Sequence, residues 1–195
     1  MRRRTHLVPG AVAFLLFLSI GCGEILYADG PYLGRVIDKE TKQPIEGAAV
    51  LAVWYKRTAS LGHPSVTFYD AQETLTDNEG NFTIPGTSTV SLNPLSRVDE
   101  PRFTIFKPGY KAYSGLLVVL VQNLVPTGLY EKDGRMVAEL RQLTTRKERL
   151  DNQGRVSVSD CDRNEKCPNL IRLINVERSN LGLKPIGPIK KRVNQ

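Results

Sequence analysis

The sequence predicts a mostly β fold, a seven-stranded sandwich followed by a short helical appendix. Three observations carry that reading. Up to about residue 143 the chain is a succession of short runs rich in β-branched and aromatic residues, separated by Gly, Pro, Asn and Asp. Seven such runs at this spacing suit two packed sheets. Beyond residue 144 the pattern turns helical, with Leu170, Leu173, Ile174 and Leu181 falling on one face. The 195 residues suffice for one domain of ordinary size with a proper core.

The strands are predicted over residues 33–38, 48–55, 65–76, 81–84, 102–107, 116–121 and 135–141. Gly47 and Ala48 allow close backbone approach where the second begins. Asp77 to Gly80 supply a hairpin turn whose glycine can take positive φ, after which Phe82 and Ile84 alternate onto one face. Pro108 and Gly109 make a tight turn, after which Tyr110 buries its ring and places its hydroxyl on a backbone partner. The apolar run 116–121, closed by Gln122 and Asn123, is far short of the roughly twenty residues a membrane helix needs and reads as a buried strand. Thr145 and Glu148 fit a capping box opening a helix to about Leu150, with Gly154 interrupting the chain soon after it. Pro168 suits the first position of a second helix and Gly182 its end. This helix is expected to pack on the sandwich; docking into a partner's groove is the alternative.

Three pieces then line up in order: Gly34 and Val36 with Asp38, followed by Pro44, Ile45, Gly47, Ala48 and Val50; Thr76, Asp77, Gly80, Phe82 and Ile84; and Pro108, Gly109 and Tyr110. Together they resemble the carboxypeptidase regulatory-like domain. The resemblance implies a transthyretin-like (prealbumin-type) Greek-key sandwich over residues 31–143, with residues 144–183 as the helical appendix and 184–195 as a basic extended tail. It implies no ligand, because the matching residues make turns and core.

At the other end, Arg2, Arg3 and Arg4 followed by an apolar run over 11–20 have the layout of a secretory signal peptide. Leu18, Ser19, Ile20 and Gly21 lead into Cys22 and resemble the lipobox of bacterial lipoproteins, although Ser19 sits where that family usually places Leu. The resemblance implies a signal peptide over 1–21, a tether over 22–30, a lipidated Cys22 that partners the membrane, and a place in the bacterial cell envelope. Gly23, in place of the aspartate that retains many lipoproteins at the inner membrane, resembles outer-membrane sorting, facing the periplasm or the surface, if the organism is Gram-negative. Ordinary cleavage nearby, with Cys22 left a plain thiol, is the alternative. Cys161 and Cys167 lie close together in polar sequence and should close into a disulfide in an oxidising compartment, leaving Cys22 as the odd cysteine.

Function is sought in the connections. Those over 56–64, 85–101 and 122–134 are long and share one end of an antiparallel sandwich, where binding surfaces usually sit. The candidate contacts are Tyr55, Arg57, His63, Arg97 and Tyr130, offered to a protein or glycan of the envelope; the alternative is that the loops are tolerated insertions. A structural or assembly role, with the C-terminal helix docking a neighbour, is the second reading, and an unrecognised envelope enzyme the third.

Composition and motifs narrow the chemistry. Loss of residues 1–21 removes three arginines and no acids, taking the formal charge from +7 to +4, and the remaining Lys and Arg are dispersed up to a tail holding Lys184, Lys190, Lys191 and Arg192. No nucleic-acid partner is expected from that pattern. His63 is the one histidine left, so no multi-histidine zinc site, metal or cofactor is expected. Asp160, Asp162 and Asn164 begin like a calcium loop, but Glu165 takes the glycine position and Ile171 the place of the bidentate Glu. Serine-hydrolase arrangements are missing. The ligand set of a metallocarboxypeptidase and the Tyr-Arg-Gly-Ser ending of hydroxyisourate hydrolases are missing too. Asp70 and Glu73 are the carboxylates that could meet in space.

Overall fold

The computed structural model of the chain describes residues 26–60, 62–90, 93–116, 128–158 and 165–187. It is mostly β. The strands are β1 (Leu26–Asp29), β2 (Tyr32–Asp38), β3 (Ala49–Thr58), β4 (Ser65–Leu75), β5 (Asn81–Ile84), β6 (Thr87–Val90), β7 (Ser96–Val98), β8 (Arg102–Phe106), β9 (Tyr113–Leu116), β10 (Leu129–Lys132) and β11 (Arg135–Leu140). The helices are α1 (Arg146–Gln153) and α2 (Pro168–Asn180).

One sheet has the order β10-β11-β2-β5 and a second the order β4-β3-β8-β9, with β7 added along the far end of β3; β1 and β6 form a separate ribbon. The β11–β2 pairing is parallel, and the others are antiparallel. The two-residue period of a strand decides the layers. Val50, Ala52 and Trp54 of β3 face the first sheet and pack with Val36, Phe82, Ile84, Met136, Ala138 and Leu140. The alternate residues Ala49, Leu51 and Val53 point the other way, onto Leu170, Leu173 and Ile174 of α2 and onto Phe106. Strand β3 is therefore buried on both faces, and the order of layers is sheet, sheet, helix. A fully buried Leu or Phe contributes about 1.5–3 kcal/mol, so α2 adds a substantial second core.

Local chemistry explains the joints. Gly80 has φ +76°, and a Cβ there would lie 2.4 Å from the Val36 carbonyl oxygen, so only glycine fits the turn that Asp77 holds through the Glu79 and Asn81 amides. The capping box forms, with the Glu148 amide donating to the Thr145 hydroxyl and the Thr145 amide to the Glu148 carboxylate. Helix α2 begins at Pro168 and is followed by Gly182 at φ +70°. Its N-terminus is capped from the sandwich: the amides of Asn169 and Leu170 donate to the Glu73 carboxylate at 2.8 and 2.5 Å. The two helices are joined by Arg149, whose guanidinium grips the buried Glu177 carboxylate at 2.7 and 2.6 Å. Buried Asn152 ties α1 to the β8–β9 connection, accepting from the Ala112 amide and donating to the Tyr110 carbonyl.

Several expectations change. Among the described residues eleven strands form, because segments read as loops pair with other strands. Residues 85–101 hold β6, which pairs with β1, and β7, which pairs with residues 56–58; residues 122–134 hold β10, hairpinned onto β11. The predicted tether 22–30 contains β1, so the folded region starts earlier than residue 31. Of the predicted strand 116–121 only the first residue is described, where β9 ends. The Tyr110 side chain lies near the Asp38 carboxylate, and burial together with that carboxylate raises its hydroxyl above the ordinary value. The tail is held at its start, where Ile186 and the Asn175 side chain bond each other twice.

Candidate functional site

Beyond Trp54 a bulge shifts the register, and the far end of β3 runs between the start of β4 and β7. Tyr55 and Phe68 stand opposite each other, as do Arg57 and Val66, and Arg57 and Arg97. These residues share the face that α2 covers further along the sheet, but here that face is open. Arg97 is 72% exposed and Arg57 45%. Val66 and Leu95, beside them, are exposed apolar residues.

Asp99 organises the charges. Its Oδ2 accepts from Nε and Nη2 of Arg57 at 3.1 and 2.9 Å, and its Oδ1 lies 3.3 Å from Nε of Arg97. The guanidinium of Arg102 sits 5.3 Å from the centre of the Tyr55 ring. Two arginines thus share one carboxylate, a third lies over the neighbouring ring, and all three residues are exposed. An aromatic ring, two exposed aliphatic side chains and pre-positioned guanidinium forks make a surface for carboxylates presented by another molecule.

Tyr55, Arg57 and Arg97 are thereby brought together. His63 lies in the exposed connection at the same end, its carbonyl accepting from the Ser60 hydroxyl at 2.6 Å. Tyr130 leaves the group: it stands on the outer face of the other sheet, its hydroxyl donating to Glu139 at 3.1 Å. Asp70 and Glu73 form no acid–base couple, since Asp70 pairs with Lys166 at 3.4 Å while Glu73 caps α2. Burial raises the Glu73 carboxyl above its ordinary value, against the helix amides that favour its charged form. Cys22 and Cys161 lie outside the described residues; Cys167 is buried at the N-cap of α2.

Sequence reasoning missed a polar cluster at this end. Asp29 accepts from the hydroxyls of Tyr27 and Tyr32 and from the indole N–H of the fully buried Trp54, at 2.8 Å for Tyr27 and 2.7 Å for Trp54. Tyr32 also packs edge-on against Phe103, with ring centres 5.1 Å apart. Burial, reinforced by Asp29, pushes both tyrosine hydroxyls far above their ordinary range, so they stay protonated donors. The cluster pins β1 to the sandwich. No sequence signal joins Asp29 to a tryptophan 25 residues away.

No protein-family model, curated protein or solved structure matches this chain.

Proposed function

We propose that this is a non-catalytic, lipid-anchored protein of the bacterial cell envelope whose sandwich binds an acidic protein surface through the arginine platform of Tyr55, Arg57, Arg97 and Arg102. The single observation that carries the reading is the shared Asp99, which holds two exposed guanidiniums side by side next to an aromatic ring and exposed Val66 and Leu95. Arginine and tyrosine are the side chains that dominate protein interfaces. A carboxypeptidase regulatory-like, transthyretin-type sandwich is the fold we assign, supported by the order of the turn motifs and by two facing sheets in which the first and last long strands, β2 and β11, lie side by side. The Cys161–Cys167 bridge belongs to the same proposal; its support is the short spacing of the two cysteines in the chain and the burial of Cys167.

The anchor and the platform fit one another. Three residues separate Cys22 from the start of β1, a reach to Leu26 of at most about 14 Å. Acylated Cys22 would hold the β1 end close to the bilayer, so the partner is a protein of the membrane or lying against it. Docking of a neighbour by α2 is the weaker reading, because its apolar face is already buried on β3 and β8.

The test is affinity capture from envelope extracts with wild type, Arg57→Ala/Arg97→Ala and Cys22→Ala. The pair of arginine substitutions should abolish capture of a defined partner without unfolding, since exposed ion pairs contribute only about 0–1 kcal/mol. Cys22→Ala should shift the protein to the soluble fraction and remove the acyl mass. Unchanged capture by the arginine variant overturns the binding claim, and an unacylated wild type overturns the anchor.

A further inference from the structure

The outer face of the sheet β10-β11-β2-β5 is a second, differently built surface. Side-chain alternation puts Arg35, Ile37, Tyr130, Lys132, Arg135 and Val137 along a groove of about 620 Å³. That is within the range of ligand sites, about 300–1,000 Å³. The opposite sheet is covered by α2, whereas no described element covers this face.

Its charges are unevenly satisfied: Arg35, Lys42, Lys132 and Arg135 line it together with the carboxylates of Glu79 and Asp133, so the cations are in excess but not alone. Lys42 is neutralised by Glu139 at 2.9 Å. Arg35 donates through Nε to the Glu79 backbone carbonyl at 2.8 Å, so its charge meets no carboxylate there. Lys132 and Arg135 stand directly opposite each other across the β10–β11 hairpin, and neither makes an ion pair among the described residues. Like charges in register destabilise a sheet unless an anion lies between them. Ile37 and Val137 form an aliphatic floor, and the Tyr130 ring is fixed by its bond to Glu139. Among the described large exposed apolar residues, Leu33 alone shares this face.

We propose that this groove binds an acidic saccharide, with the sugar's anionic group seated between Lys132 and Arg135 and its ring lying against Tyr130 and Val137. A cationic pair alone would take any polyanion. The fixed aromatic wall and aliphatic floor, bordered by Asn81, whose amide donates to Glu79 at 3.2 Å and keeps its carbonyl oxygen for a hydroxyl, add what a pyranose ring and its hydroxyls require. This site is independent of the arginine platform and lies on the other sheet.

The experiment is calorimetric titration of the full mature chain with three probes: an oligogalacturonate, a polyphosphate of matched charge without sugar, and a neutral oligosaccharide of matched length. The oligogalacturonate should bind, more weakly as salt rises, and the other two should not. Lys132→Ala/Arg135→Ala should weaken it at least about tenfold, while thermal stability holds or rises because a like-charge pair has gone. Tyr130→Ala should weaken it as well, and Lys147→Ala/Lys184→Ala, which removes the same charge elsewhere, should not. Equal binding of polyphosphate overturns the saccharide assignment, and absence of oligogalacturonate binding or an unaffected Lys132→Ala/Arg135→Ala protein overturns the site.

Discussion

Arg149→Met should cost about 3 kcal/mol at pH 7 and unfold the sandwich and the appendix together. Glu177 is 1% exposed and receives two charge-assisted hydrogen bonds from Arg149, whose own side chain is 26% exposed. Removing one partner of a buried pair typically costs 3–5 kcal/mol, because the other charge is left without compensation. Water reaches the site from the Arg149 side, which sets the value at the low end. Arg149→Met/Glu177→Leu, which removes both charges, should return to within about 1 kcal/mol of wild type. Urea unfolding followed by fluorescence makes the measurement decisive, since Trp54 is the single tryptophan and lies between the sheets, away from α1 and α2. If Arg149→Met shifts the helical circular dichroism but leaves the Trp54 transition in place, or if its loss at pH 7 is below about 1 kcal/mol, the sandwich and the appendix are not one cooperative unit.

Two further predictions concern α1. Arg141, helped by the Thr145 amide, holds the Glu148 carboxyl down at about 2. A depressed carboxyl stabilises the fold above its ordinary pKa and loses that contribution as pH falls through the folded value. Wild type should therefore be more stable than Glu148→Gln at pH 7 and converge with it as pH falls toward 2, read by thermal melts; a gap independent of pH would contradict the capping account. Asn152→Ala strands the buried Ala112 amide and should cost about 1–3 kcal/mol in urea unfolding. A loss under about 0.5 kcal/mol would mean that Asn152 is not what ties α1 to the sandwich.

Legible in the sequence were the features whose causes lie within a few residues. The buried run of β3, the turn at Asp77 to Gly80, the capping box of Thr145 and Glu148, and the limits of α2 at Pro168 and Gly182 are of this kind. Short polar strands are not. Thr87–Val90 and Ser96–Val98 have no apolar alternation to announce them, and exist because β1 and β3 offer edges. The hairpin of β10 and β11 did carry a signal, Asp133-Gly134 with both residues at positive φ, a strong marker of a tight turn, hidden inside a stretch read as one loop. The platform was partly legible because Tyr55, Arg57 and Arg97 stood out as residue types suited to contacts. Asp99, which aligns the two arginines, and Arg102, which covers the Tyr55 ring, depend on cross-strand register. Tyr130 was grouped with them by loop order, yet the register of β10 on β11 sends it to the other sheet.

The most direct test of the tethered binding module is site-specific photocrosslinking in intact cells, with the crosslinker at position 95, 61% exposed beside the platform, or at position 176, 42% exposed on α2. The account predicts a discrete protein adduct from position 95 that vanishes in Arg57→Ala/Arg97→Ala, and none from position 176. An adduct from position 176 instead, or one at position 95 indifferent to the two arginines, would contradict it.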